Sequence, residues 1–249
     1  MPVSEQQAVA ALEAALKPGD VINIDSRARW YKFWYRIPYA LIRSHQKRIF
    51  GEWSRWRDTH TMLYLGPQFG PNCTFSVEPP TARYLPLSDF CFSHLTVYRH
   101  RTFVVGPAEA LIMDQACHTI AGTVYDVGQL LDIMVNRILG YPQVIHYRCF
   151  DFSTRCKVCS VGARIAYEHL RHVLESQGNT SLAKLFSTVR PEGTPVGSGV
   201  IRWGPDGPPP SQFGSGVDVE ATAPAHFANS EYFGDEFVKA AEFDYGVPV

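Results

Sequence analysis

Cys159, His60 and Glu78 are the residues of this 249-residue chain whose types and order suit thiol chemistry. A cysteine hydrolase needs a thiolate nucleophile, an imidazole that takes the thiol proton and later protonates the leaving group, and often a polar residue that orients the ring. Cys159 lies in Asp151 to Leu170, DFSTRCKVCSVGARIAYEHL, where a polar loop runs into a helix-forming segment. Val161, Ile165, Leu170 and Val173 recur there at roughly helical spacing, so the thiol is expected at a helix start. Unpaired N–H groups and the positive end of the helix dipole favour thiolate at such a position, which gives the expectation of a lowered pKa. Ser160, or Ser153 and Thr154 before it, are candidate caps.

His60 falls in THTMLYLG, read as a strand, and Glu78 follows on the next strand in FSVEPP. Paired strands set residues side by side on one face, so Glu78 is expected to accept the far ring N–H of His60. Each residue alone also fits a structural role: a strand histidine, a solvated glutamate before Pro-Pro, a buried cysteine acting as a small hydrophobe. The constellation carries more information than its members.

Several elements must position these groups. Glu5 to Leu16 reads as a short amphipathic helix, Lys17-Pro18-Gly19-Asp20 stops it, and Val21, Ile22 and Ile24 read as a strand. Cys73 to Val77, Leu95 to Tyr98 and Thr102 to Val105 are further expected strands, and Pro107 to Cys117 and Val127 to Leu139 are expected helices, the second capped by Asp126. Between the first strand and the histidine strand, Arg27 to Arg57 interleaves aromatic with basic residues. It reads either as helices whose Arg and Lys stems snorkel to water, or as a surface for a membrane interface or an anionic polymer. Its place also suits a lid or wall over a cleft. Pro191 to Gly216 reads as a Pro/Gly-rich surface loop, and Thr222 to Phe237 is expected to pack back onto the domain.

A hydrophobic fraction of 45% permits a substantial core, and a net charge of −1 argues against a dedicated nucleic-acid binder. The N-terminus has no basic stretch leading into a long apolar run, and no window holds the roughly 18 uninterrupted apolar residues of a membrane span. The expectation is a cytoplasmic protein, or one released or carried without a cleaved signal peptide. Six cysteines in a chain of this length read as free thiols rather than a disulfide framework.

Five stretches resemble the circularly permuted branch of the NlpC-type papain-like cysteine hydrolases, the YiiX-like group: KPGDVINI, THTMLYLG, SVEPPTARYLPLSDF, TVYDVGQLL and VCSVGARIAYEHL. In that branch the histidine strand precedes the cysteine helix, as His60 and Glu78 precede Cys159 here. The resemblance implies one α+β papain-like domain over residues 1–249, with helices packed on a small antiparallel sheet. The segments at about 27–57 and 191–216 lie outside the matching stretches. It implies Cys159 as nucleophile, its amide in an oxyanion hole, His60 as general base, Glu78 as orienting residue, a peptide or peptidoglycan-like substrate, and no cofactor or metal.

Other readings stay open. Cys156 forms CKVC with Cys159, a spacing suited to a disulfide or redox switch. Cys149, Cys156 and Cys159 with His146 are an alternative zinc set. A thioacyl intermediate can pass its acyl group to an amine or alcohol, making acyl transfer or lipid chemistry a runner-up. A non-catalytic binding module is the remaining class.

Overall fold

The computed structural model describes residues 3–25, 36–50, 57–139, 159–183, 185, 222–228 and 237–249. Its centre is a seven-stranded antiparallel sheet in the order β4-β3-β2-β1-β5-β6-β7. The strands are β1 (Val21–Asp25), β2 (His60–Tyr64), β3 (Thr74–Val77), β4 (Ala82–Leu85), β5 (His94–His100), β6 (Phe237–Asp244) and β7 (Val247–Pro248). The helices are α1 (Glu5–Ala15), α2 (Arg36–Phe50), α3 (Pro107–Ile120), α4 (Val127–Ile138), α5 (Cys159–Ser176) and the short α6 (Pro224–Phe227). The described architecture is α+β.

The period-two alternation of β1 and β2 divides the core. Ile22, Ile24, Met62 and Tyr64 pack with Ala8 and Leu12 of α1. Val21, Leu63, Phe75 and Val77 pack on the other face with Met113 of α3 and Ala166 and Leu170 of α5. Both faces are covered, so β2 is buried along its length. Helix α1 starts at a capping box: the Ser4 hydroxyl accepts the Gln7 N–H at 3.3 Å, and Gln7 Oε1 accepts the Ser4 N–H at 3.0 Å. Helix α5 lies close against β3, because a Cβ at Gly162 would stand 2.7 Å from Val77 Cγ2.

The helices expected near the N-terminus, in the centre and at Cys159 are present as α1, α3, α4 and α5, and α5 runs on to Ser176. Thr102 to Val105 is not a strand: the Thr102 and Phe103 N–H groups donate to His100 Nδ1, at 3.3 and 2.9 Å, instead of to a neighbouring strand. Strands β4, β6 and β7 went unforeseen, and β6 reads poorly because its Lys239, Ala240 and Ala241 carry no clear apolar alternation. Of the aromatic and basic segment, α2 and Arg57 are described, while 26–35 and 51–56 lie outside the described residues. The Pro/Gly-rich loop at 191–216 also lies outside them. Among the described residues, no helix is long and apolar enough to cross a membrane.

Candidate active site

His60 opens β2, and its ring is buried, 8% exposed. Its Nε2 lies 2.7 Å from Ser76 Oγ and 3.9 Å from Glu78 Oε2, and the ring stacks on Phe90 with centroids 6.5 Å apart. Met62 pairs with Ser76 across β2 and β3. Side chains two residues apart on a strand share a face, so Ser76 and Glu78 stand on the same side as His60 and Met62. Glu78 comes just after β3, and its Oε1 takes a hydrogen bond from Arg83 Nη2 at 2.5 Å. Burial pushes the His60 pKa down, with the Glu78 charge partly opposing it. The ring is therefore neutral near pH 7, held at Nε2, and its Nδ1 makes no hydrogen bond among the described residues.

Cys159 is the first residue of α5 and is 3% exposed. Its thiol points to the Thr59 carbonyl at 4.0 Å, and the N–H groups of Thr61, Ser160 and Cys159 itself favour the thiolate. Burial nevertheless outweighs them and pushes the thiol up to about 11. The expected lowering at a helix start is thus corrected: the donors are in place, but the sulfur has lost more solvation than they return.

The sulfur and the ring meet the same short piece of β2 from different sides. Val77 and Phe75 face α5, whereas Ser76, which holds the ring, alternates to the opposite face. The structure brings His60 and Glu78 together and sets Cys159 against the backbone flanking His60, and no hydrogen bond joins the thiol to the ring. Sequence reasoning missed Ser76 and Arg83. The S-x-E spacing was the available signal for Ser76, since it puts both side chains on one strand face.

A buried polar frame fixes these pieces. The Ser160 hydroxyl does not cap its helix; it donates to the Thr222 carbonyl. Arg164 Nη1 donates to Thr222 Oγ1 at 3.1 Å, and Asn23 Nδ2 donates to the Pro224 carbonyl at 2.8 Å. Gln46 of α2 spans two loops: its Nε2 donates to the Asp58 carbonyl at 2.6 Å, and its Oε1 accepts the Ala225 N–H at 2.7 Å. The described part of the aromatic and basic segment is thereby tied to the residues just before His60.

Beside Cys159 lies a small cavity of about 20 Å³ that opens to solvent. Leu41 and Ile42 of α2 form one wall, and Tyr125, Leu130 and Met134 form another. Thr222, Ala223 and Pro224 close it, with Cys159 and Ser160 between. Burial, then the neighbouring Cys159, holds the Tyr125 hydroxyl well above its ordinary pKa.

Cys73, Cys91, Cys117 and Cys159 are free thiols. Among the described residues no three His, Cys, Asp or Glu side chains cluster to hold a metal ion. His146, Cys149 and Cys156, which complete the alternative zinc set and the CKVC pair, lie outside the described residues. Comparison with protein-family models and with curated proteins gives no match.

Proposed function

We propose that this chain is a thiol-dependent amide hydrolase of the permuted NlpC-type papain-like class, acting on a peptide, with a cell-wall peptide as the substrate that the sequence resemblance favours. The observation that carries the reading is the meeting of a helix-starting cysteine with a histidine strand: the Cys159 sulfur contacts the backbone on both sides of His60, whose ring is held at Nε2 beside Glu78.

In this mechanism the start of β2 must rearrange so that His60 Nδ1, which rests on the face opposite α5, reaches the Cys159 thiol and takes its proton. Catalytic hydrogen bonds are often long in the unliganded state and tighten when substrate binds. The thiolate adds to the carbonyl carbon, the developing oxyanion is stabilised by the Cys159 amide, and His60 protonates the departing amine as the C–N bond breaks. Water activated by His60 then releases the acid and restores the thiol. Glu78 orients the ring and favours its charged form, while Arg83 fixes Glu78.

Acyl transfer is the second reading, favoured by the apolar cavity next to Cys159. Beyond the site, the aromatic and basic residues at 27–57 supply contact with a membrane surface or an anionic polymer.

The test is a panel of peptide amides, including cell-wall peptides, and matched esters, with products identified by mass. Wild type is expected to cleave amides, and Cys159→Ala to lose about 10³-fold or more of that activity while folding normally. Equal activity of Cys159→Ala and wild type would remove the thiol mechanism.

A further inference from the structure

We propose that Gln46 of α2 is a positioning residue that holds the start of β2 in its resting place, and that parting of Gln46 from the Asp58 carbonyl is the conformational step that lets His60 reach Cys159. This rests on the thiol-hydrolase reading and names what gates that site.

The step follows from strand geometry. His60, Met62 and Tyr64 share one face of β2, where Met62 and Tyr64 pack with α1. Cys159 meets β2 from the side of α5, the face to which Leu63 turns. Bringing a strand side chain to the other face takes a backbone rotation of about half a turn. Thr61 pairs with Asn23 of β1, and Met62 lies between Ile22 of β1 and Ser76 of β3, so the strand is fixed from there onward. The rotation therefore falls on residues 58–60.

Contacts from four residues hold that segment. The Thr59 N–H donates to the Ile24 carbonyl at 2.8 Å, and Ser76 Oγ lies 2.7 Å from His60 Nε2. Asn23 Nδ2 donates to Asp58 Oδ2 at 3.3 Å, and Gln46 Nε2 donates to the Asp58 carbonyl at 2.6 Å. Ile24, Ser76 and Asn23 belong to the sheet. Of these four, Gln46 alone comes from a helix, so it can part from Asp58 without loss of strand pairing.

The other end of the same carboxamide explains what stays in place. Gln46 is fully buried, and its Oε1 accepts the Ala225 N–H at 2.7 Å. Ala225 follows Thr222, Ala223 and Pro224, and this wall is fastened to α5 where the Thr222 carbonyl accepts the Ser160 hydroxyl. Closed, the latch keeps the Thr59 carbonyl on the Cys159 sulfur at 4.0 Å. Open, it frees residues 58–60 while the Ala225 bond still ties α2 to the wall. One buried hydrogen bond favours the closed state by a factor of about three to ten, and its removal raises the open fraction by that factor.

Gln46→Glu separates the two bonds by pH. In its neutral form the new carboxyl can donate to the Asp58 carbonyl and accept from Ala225; ionised, it still accepts from Ala225 but repels the Asp58 carbonyl. The experiment uses the full chain, with the peptide amide panel and with iodoacetamide labelling mapped by mass, from about pH 5.5 to 8.5. The expected kcat/KM of Gln46→Glu matches wild type at the acid end and exceeds it by about threefold or more at the alkaline end. Labelling of Cys159 relative to wild type should rise by a similar factor, with Cys73 and Cys117 unchanged. A residue that only supports the fold gives the opposite sign, a loss of rate.

A rate at or below wild type at the alkaline end, or labelling of the three cysteines that rises together, would overturn the latch and leave the thiol-hydrolase reading standing. If Gln46→Glu does not fold, Gln46→Met, which fills the space without a donor, takes its place: a rate above wild type supports the latch, and a rate at or below it overturns it. If wild type cleaves no amide, the hydrolase reading fails and labelling of Cys159 decides the latch alone. A selective rise then supports it, and no rise overturns it.

Discussion

On one side of β2 the His60 ring rests on Ser76 and Phe90 with a carboxylate 3.9 Å away; on the other the Cys159 sulfur borders a cavity lined by Leu41, Ile42, Leu130 and Met134. The ring has polar neighbours that fix its orientation. The sulfur has donors too, but its surroundings are dry enough that desolvation prevails. Both groups therefore rest neutral, the thiol pushed up and the imidazole pushed down. The pair is a thiol waiting for a base, unlike a standing thiolate–imidazolium pair.

The largest effect should come from removing the base. His60→Ala is expected to lower kcat/KM for amide cleavage by about 10² to 10⁴-fold, read in the peptide panel. An unchanged rate would mean that the two sides of β2 do not work together.

The resting state of the sulfur can be read directly. With its pKa near 11, alkylation of Cys159 by iodoacetamide should rise about tenfold per pH unit between roughly pH 7 and 10. A rate already level at pH 7, followed by mass mapping of the modified cysteine, would indicate a preformed thiolate and reverse the contrast.

Ser76→Ala removes the partner that holds His60 Nε2. A loss of about tenfold in kcat is expected, with KM little changed, because the ring keeps its place on Phe90 but not its orientation. On the α5 side, Gly162→Ala should destabilise the fold by about 1–3 kcal/mol, read as a lowered Tm, since its Cβ would press on Val77.

The smallest effect concerns acid. His60 is neutral in the fold with a depressed pKa, while the unfolded ring titrates near 6.5. Below that value the unfolded state binds the extra proton, so the contribution to stability is present above pH 6.5 and is lost as the pH falls toward the folded pKa. Tm measured from pH 7 to 4.5 should decline, and His60→Gln should flatten the decline in part. His100, whose pKa burial pushes down to about 4, keeps some of it.

The legible parts of the sequence were those with a strong local pattern. The periodicity of Glu5 to Leu16 and of Val161 to Val173 gave α1 and α5, and the adjacent runs THTMLYLG and CTFSV gave β2 and β3. The Thr102 to Val105 run misled because a side chain, His100, captures the backbone donors that a strand would need. β6 was hidden because an outer strand paired to β5 needs little hydrophobic alternation.

For the site, the sequence by itself determined the chemical types, the order His60, Glu78, Cys159, and the start of a helix at the thiol, since composition and spacing act locally. Only the tertiary structure decided how dry the sulfur is, which neighbours hold the ring, and that α2 and α4 build an apolar cavity beside Cys159. Solvation and contact are set by residues far away in sequence, such as Gln46 spanning Asp58 and Ala225, and no local pattern encodes such distances.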